Sequence, residues 1–150
     1  MTKFDYDKFV EFINTKYKRK FTNIINSIRY FNEWNTGLYS TGNDEIDKHY
    51  FAYILATGYH ETAGKLIPLR EYGLGKGHKY GLVNARGVSY YGRGDVQLTW
   101  DYNYQKFTKI LGIDIYNNPD LVLDPTLSIK IFFKGMVMGY FTGKKLSDYF

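Results

Sequence analysis

Apolar residues recur three or four positions apart in several stretches of the chain, a pattern typical of amphipathic helices. Residues 5 to 17 form the first such stretch. Thr22 is a suitable N-cap for a second helix. Residues 32 to 43 contain two glycines and several Asn, Thr and Ser residues, so they are predicted to form a loop. The N-terminal part is therefore predicted to contain two helices followed by a loop.

The third predicted helix begins at Asn43 or Asp44 and runs to about Thr62. Its inward-facing stripe is expected to comprise residues at helical spacing that end in a carboxyl group: Ile46, Tyr50, Ile54, Thr57 and Glu61. A carboxyl group at the end of such a stripe should be partly buried, and burial disfavours its charged form. Glu61 is thus predicted to stay protonated and to be able to donate a proton.

Two more helices are predicted beyond a segment rich in Gly and Tyr. That segment, residues 68 to 94, is expected to form loops, with a short hairpin near residues 88 to 98. The fold class is therefore mainly α, with a Gly/Tyr-rich loop or hairpin region lining a cleft.

The two C-terminal helices have clear start and stop signals. The first has Asp101 as its cap, runs through Leu111 and is closed by Gly112. The second follows Asp124 and Pro125, runs to about Tyr140 and stops at Gly143. Helices thus flank the glycine-rich middle, where loops held by a scaffold can present polar groups.

Composition and charge narrow the class of protein. With 150 residues, 44% apolar and 23% charged, the chain is predicted to be a single globular domain. It has no cysteine, which excludes disulfides and thiolate metal sites. The net charge of +5 favours an acidic polymer as partner, such as nucleic acid, an anionic membrane or the bacterial cell wall. No apolar run is long enough for a membrane span, and residues 1 to 10 lack the apolar stretch of a signal peptide.

A glycosidase needs a second carboxyl group besides Glu61. The candidates in the middle region are Glu71, Asp95 and Asp101. Each has a structural alternative: Glu71 could pair with a nearby arginine, and Asp101 could cap a helix. Glu61 itself could form an ion pair with Arg70 or Lys65 instead of acting as an acid.

A metal site is not predicted. His60 and Glu61 resemble the start of a zinc-protease motif, but Gly64 stands where the second histidine is needed. No cofactor is expected. A different polar set, Gln97, Thr99 and Asn103, is spaced so that its members can point into one cleft. Amides and hydroxyls of this kind pair with sugar hydroxyls and N-acetyl groups, although a turn with capping residues would look the same.

The motifs together resemble those of the family 19 glycoside hydrolases, and more closely those of their bacteriophage endolysin branch. Residues 52 to 64 are similar to the catalytic helix of that family. Further stretches resemble the same branch in the same order, at residues 68 to 73, 90 to 104, 117 to 121 and 139 to 146. The resemblance covers about residues 22 to 149 and implies a lysozyme-like fold with a sugar-binding cleft.

The resemblance also implies an activity and roles for individual residues. The expected reaction is inverting hydrolysis of β-1,4 bonds in an N-acetylated aminosugar polymer, which is peptidoglycan for the phage relatives and chitin for the plant relatives. Glu61 matches the general acid, Glu71 the carboxylate that activates water, and Thr99 the hydroxyl that helps to hold this water. In an inverting enzyme the two carboxyl groups stand roughly 6.5–9.5 Å apart. The expected substrate-binding residues are His60, Arg70, Tyr91, Gln97, Tyr102 and Asn103.

Chitinase members of the family differ in one respect. Their base lies about twenty residues after the acid, where this chain has residues 82 to 84, Leu-Val-Asn. Phage members have a shorter loop, in which Glu71 is the matching carboxylate.

The resemblance finally suggests partners and surroundings. The chain is expected to be one lysozyme-like catalytic domain over residues 1 to 150 that lacks the C-terminal segment usual in relatives. It would then be a fragment, a shortened member of the family or a chain completed by a partner. The expected partner is the glycan strand of peptidoglycan, with virion proteins or the missing segment as further partners. No binding of nucleic acid is expected, and the protein is expected to be a monomer. The expected location is the host cytoplasm before release to the cell wall, or the virion. A non-catalytic glycan-binding or virion module, and a chitinase, are the alternatives.

Overall fold

Helices dominate the computed structural model, which describes residues 5–17, 24–35 and 40–150. The predicted mainly α class is confirmed. The α-helices and strands of these residues are α1 (Tyr6–Tyr17), α2 (Ile24–Asn35), α3 (Asp44–Glu61), β1 (Leu69–Arg70), β2 (Arg93–Gly94), α4 (Asp101–Leu111) and α5 (Pro125–Val137). Short 3-10 turns lie at Lys79–Gly81, Pro119–Leu123 and Leu146–Asp148. Within the described ranges, no helix is both long and apolar enough to span a membrane.

Local capping signals set the start of α3 and of α5, as predicted. The Asn43 side chain accepts hydrogen bonds from the first turn of α3, at Glu45 N (3.0 Å) and Ile46 N (3.4 Å). Asp124 accepts a hydrogen bond from Leu127 N (2.8 Å), and Pro125 occupies the first position of α5. These interactions satisfy backbone donors that have no partner within the helix.

Several helix boundaries differ from the prediction. Helix α2 continues to Asn35, into the predicted loop, whereas its predicted cap, Thr22, lies outside the described residues. The N-cap of α4 is Trp100, so Asp101 is the first helical residue. Helix α5 ends at Val137, short of the predicted end near Tyr140, because Gly139 adopts a left-handed φ of 70°.

The apolar side chains form two adjoining clusters that share α5. The first joins α1, α2, α3 and α5 around buried residues that include Phe31, Phe51, Ile54, Phe132 and Phe133. The second joins α4 and α5 to the loops around Tyr90, Leu98, Tyr104, Phe107 and Ile131. Val96 and Phe141 pack against both clusters. The glycine-rich segment therefore packs directly against the helices.

The strands pair differently from the predicted hairpin. β1 and β2 are antiparallel, with Leu69 opposite Gly94 and Arg70 opposite Arg93. Between residues 88 and 98 the pairing is limited to an isolated bridge from Arg93 to Leu98. The β1–β2 ladder joins the two ends of the glycine-rich segment and sets the position of Glu71, the residue after β1.

Candidate active site

The carboxylate of Glu71 is held at both of its oxygen atoms. The Tyr80 hydroxyl donates to Oε1 and the Gly92 N–H donates to Oε2, each over 2.9 Å. In addition, the backbone N–H of Glu71 donates to the Gly92 carbonyl oxygen (2.7 Å). The hydrogen bond to Glu71 raises the pKa of the Tyr80 phenol, so Tyr80 remains a donor at neutral pH. These contacts fix the direction of the carboxylate.

Gly92 brings the Gln97 amide close to Glu71. A Cβ atom added at Gly92 would lie 2.9 Å from Oε1 of Gln97 and 3.3 Å from Cβ of Glu71. A contact of 2.9 Å is too short for a Cβ atom, so any side chain at this position would displace the Gln97 amide. The structure therefore places two of the predicted site residues on either side of one glycine.

Gln97, Thr99 and Asn103 are connected through backbone carbonyl groups. The Gln97 side-chain Nε2 donates to Leu69 O (3.1 Å) and Gly94 O (3.0 Å). Thr99 Oγ1 donates to Gln97 O (2.7 Å), and Asn103 Nδ2 donates to Thr99 O (2.9 Å). Each side chain is thus held in one orientation, and each retains lone pairs that can accept hydrogen bonds from sugar hydroxyls or water.

The buried side chain of Arg93 connects the loop at residues 89 to 91 with Tyr104 on α4 and with Asp120. Its Nε donates to Asp120 (2.7 Å), and its Nη1 donates to the carbonyl oxygens of Ser89 and Tyr91 (both 3.1 Å) and to the Tyr104 hydroxyl (3.2 Å). Its guanidinium lies 3.5 Å from the centre of the Tyr91 ring. Burial raises the pKa of Tyr104 to about 12, so its hydroxyl stays neutral.

Arg70 shares the carboxylate of Asp120 with Arg93. Arg70 Nη2 donates to Asp120 Oδ2 over 2.8 Å. Partial burial works to raise the pKa of Asp120, but the hydrogen bonds from Arg70 and Arg93 outweigh it and lower that pKa. The same hydrogen bond raises the pKa of Arg70. Arg70, predicted to bind substrate, is therefore engaged in an ion pair on the surface.

Beside this ion pair is a polar groove of about 640 Å³. Its lining includes Ser89, Tyr91, Arg93, Asn117, Asn118 and Asp120. The Tyr91 ring is buried and stacked on Arg93, so its predicted role in sugar binding is limited to the part that faces this groove.

Glu61 and His60 lie exposed at the C-terminal end of α3. The predicted partial burial of Glu61 is wrong. The buried line of α3 runs from Ile54 through Gly58 to Thr62, and Glu61 is one position away from it. The cause is close packing on α5, since a Cβ at Gly58 would lie only 2.7 Å from the Phe132 ring. The expectation that burial keeps Glu61 protonated therefore loses its basis.

The contacts separate the predicted residues into groups. Glu71, Gln97, Thr99 and Asn103 form one connected group, and Arg70 and Tyr91 meet through Arg93 and Asp120. Among the described residues, neither Glu61 nor His60 joins the hydrogen bonds around Glu71. The pairing of Glu61 with Glu71 as acid and base stays a prediction.

The two other candidate carboxylates have structural surroundings. Asp95 is buried, and its Oδ2 accepts a hydrogen bond from the Ser128 hydroxyl, which in turn accepts one from Asp95 N. Asp101 begins α4 and accepts a hydrogen bond from Tyr102 N (2.8 Å). In the described part of the chain, no three His, Asp or Glu side chains cluster in a way that could hold a metal ion.

Sequence reasoning missed Tyr80 and Trp100. The Tyr80 ring stacks on His78, with centroids 4.9 Å apart, and meets the Trp100 ring edge to face at 5.1 Å. Trp100 in turn lies 6.2 Å from Tyr102, which was predicted to bind substrate. Trp100 lies in the stretch that resembles the family. No local pattern, however, indicates that Tyr80 reaches Glu71 across the glycine-rich loop.

Comparison with known proteins identifies the family. The family profile described as chitinase class I, glycoside hydrolase family 19, matches residues 10–143. Chitinase C from Streptomyces griseus superposes with a TM-score of 0.63 at 26% identity, over 85% of this chain and 65% of that chain. Endochitinase 1 of Theobroma cacao is 38% identical over 107 residues, which are 61% of this chain and 33% of that protein.

The chain therefore belongs to glycoside hydrolase family 19. Its helical fold is the lysozyme-like fold of the family 19 chitinases, as the sequence predicted. The family consists of hydrolases that act on O-glycosyl bonds. The chain spans about a third of the length of the curated relatives it matches and 65% of the bacterial chitinase.

Proposed function

We propose that this chain hydrolyses the β-1,4 bonds of peptidoglycan, as an endolysin or virion-associated enzyme of a bacteriophage. One observation carries the proposal. The Glu71 carboxylate is oriented by two donors, and the Gln97 amide lies close to it across Gly92. The Thr99 hydroxyl is held in turn by the backbone carbonyl of Gln97. A carboxylate held in this way next to groups that can bind water is the arrangement an inverting glycosidase needs for its base.

The proposed reaction is a single displacement. Glu71 takes a proton from a water molecule that Thr99 helps to hold, and the oxygen of that water bonds to the anomeric carbon. The bond from this carbon to the glycosidic oxygen breaks as Glu61 gives that oxygen its proton. Because Glu61 is exposed before substrate binds, the glycan itself would have to cover it and exclude water from the proton transfer.

Charge supports peptidoglycan as the polymer. The chain carries a net charge of +5, which attracts an acidic cell wall more than it attracts nearly neutral chitin. The place of Glu71, soon after Glu61, also supports the phage branch, which has this shorter loop. Cell-wall strands are then the partner, and the enzyme would act after release from the host cytoplasm or from the virion.

Chitin is the second candidate polymer. It is favoured by the names of the relatives, which include an endochitinase of Theobroma cacao and a chitinase of Streptomyces griseus. Both polymers contain β-1,4-linked N-acetylated sugars, so the same two carboxyl groups would serve in either case.

A non-catalytic glycan-binding role is the third candidate. One relative, 53% identical over 47 residues, is the inactive chitinase-like protein 1 of Hevea brasiliensis. The matched part covers 31% of this chain and 15% of that protein. The family fold is therefore compatible with loss of hydrolysis.

The test measures new reducing ends released from purified peptidoglycan and from chitin oligomers. We expect faster release from peptidoglycan, and a loss of about 10²- to 10⁴-fold in Glu61→Gln and in Glu71→Gln. Glu45→Gln is the matched control, since Glu45 is also an exposed carboxylate on α3. Faster turnover of chitin would favour the second candidate. Binding of glycan without any release would favour the third, and parent-like activity of Glu71→Gln would contradict the assignment of the base.

A further inference from the structure

A row of aromatic rings extends from the Glu71 carboxylate to the surface. It consists of His78, Tyr80, Trp100 and Tyr102, each in ring contact with the next. Trp100 is 38% exposed and Tyr102 57% exposed, and their rings are within 20° of parallel. Such apolar ring surface is usually buried, so its display beside a fixed carboxylate calls for an explanation.

The backbone at Trp100 shows that this display is enforced. Trp100 has a φ of 73°, in the left-handed region that bulky residues avoid. Three hydrogen bonds hold it there: its N–H donates to Tyr90 O (3.0 Å), and its carbonyl accepts from Asn103 N (3.1 Å) and Tyr104 N (3.3 Å). A strained residue that presents an indole to solvent, and does not bury it, is typical of a binding site.

We propose that this aromatic row binds a sugar ring of the glycan, with Trp100 as its main stacking surface. The inference rests on the proposed function and adds to it a binding surface. The apolar face of an N-acetylated aminosugar packs on an aromatic ring, while its hydroxyl and amide groups reach polar neighbours. The neighbours here are suitable, because Tyr80 links the row to Glu71 and Asn103 follows Trp100 by one turn of α4.

Tyr80 has two functions in this arrangement. Its ring contacts Trp100 and belongs to the stacking surface, whereas its hydroxyl orients the carboxylate of Glu71. Tyr80 is therefore a positioning residue for the base. A sugar that stacks on the row would restrict the Tyr80 ring and, through it, the carboxylate.

Binding is tested first by tryptophan fluorescence. The chain has two tryptophans, Trp34 and Trp100, so Trp34→Phe leaves Trp100 as the only reporter. Glu61→Gln is added so that the glycan is not cleaved during the titration. Chitin oligosaccharides and soluble peptidoglycan strands should each shift the Trp100 emission to shorter wavelength. This readout leaves Trp100 unchanged and does not depend on how a substitution there affects folding.

Affinity is then compared between substitutions at Trp100 and a control. Trp100→Ala should weaken glycan binding by roughly 2- to 10-fold, the range expected for one lost aromatic contact, and Trp100→Phe should retain most of it. Phe12 on α1 is also an exposed aromatic side chain, 58% exposed against 38% for Trp100, so Phe12→Ala is the control and should leave affinity unchanged.

Steady-state kinetics separate the two functions of Tyr80. Tyr80→Phe keeps the ring and should lower kcat with little change in KM, whereas Tyr80→Ala should also raise KM. An unchanged kcat in Tyr80→Phe would contradict the positioning role, and an unchanged KM in Tyr80→Ala would contradict the stacking role of the ring.

The outcomes also distinguish the row from the proposed function. Three results would show that the aromatic row is not a sugar-binding surface: glycan binding that does not shift the Trp100 emission, unchanged affinity in Trp100→Ala, or no binding of glycan at all. Hydrolysis that continues with parent-like KM in Trp100→Ala overturns the row and leaves the proposed function intact. If the parent protein binds glycan through Trp100 but hydrolyses none, the sugar-binding role of the aromatic row is supported and the proposed function is contradicted.

Discussion

Arg93→Lys should destabilise the protein far more than a change of one basic residue to another usually does. The Arg93 side chain is 4% exposed and makes four hydrogen bonds, to Asp120, Ser89, Tyr91 and Tyr104. Three of these bonds come from Nη1 and the fourth comes from Nε. Lysine keeps the charge but has a single nitrogen, which cannot reach Asp120 and the three acceptors of Nη1 together. Either the charge-assisted bond to Asp120 or the group of bonds at Nη1 would therefore be lost.

The magnitude follows from that loss. A hydrogen bond between charged groups contributes about 1.5 to 3 kcal/mol, and acceptors left without a donor add to the cost, so we expect a loss of about 2 to 3 kcal/mol in the free energy of unfolding. Arg70→Lys is the matched control, since Arg70 binds the same Asp120 carboxylate with its side chain 50% exposed. The free energy of unfolding of Arg70→Lys should fall by less than about 1 kcal/mol relative to the parent.

The assay is urea unfolding of both variants and the parent at neutral pH, followed by circular dichroism. Equal losses in Arg93→Lys and Arg70→Lys would refute the reasoning, because they would show that the buried hydrogen bonds add nothing to the shared ion pair.

Two further predictions concern the same region. Gly92→Ala would place a methyl group 2.9 Å from Gln97 Oε1 and 3.4 Å from Glu71 Oε2. It should reduce glycan hydrolysis by about 10-fold, because the methyl group displaces the Gln97 amide and crowds Cβ of Glu71, 3.3 Å away, while every catalytic group is retained; parent-like rates of reducing-end release would contradict this. Asp120→Ala should destabilise the protein in a pH-dependent way. Arg70 and Arg93 lower the Asp120 pKa below its ordinary 3.8, so its contribution is full above that value and is lost as the pH falls through the lowered pKa. Thermal unfolding of parent and variant should differ most near neutral pH and converge in acid, and a difference that grows in acid would show the sign to be wrong.

The sequence predicted those features that depend on neighbouring residues. Asn43, Asp124 and Gly112 were recognised as helix caps because their interactions lie within one helical turn. The predicted polar set of Gln97, Thr99 and Asn103 is held mainly by contacts within four residues, although Gln97 also donates to the distant Leu69 O.

Features that depend on distant packing were not predictable in this way. The exposure of Glu61 follows from the contact between Gly58 and Phe132, which rotates the buried face of α3. The ion pair of Arg93 with Asp120 joins residues far apart in the sequence. The hydrogen bond from Tyr80 to Glu71 likewise depends on the path of the glycine-rich loop. Helical periodicity describes only the order of residues along the chain, so it does not predict contacts between residues that are distant in the sequence.

The central claim is that Glu61 and Glu71 act on opposite faces of one sugar in a single displacement. Proton NMR of freshly digested peptidoglycan tests it most directly, by recording the anomeric form of the new reducing ends before they equilibrate. Inversion of a β-1,4 bond predicts that the α-anomer appears first. Initial release of the β-anomer, or intact glycan after prolonged incubation, would contradict the account.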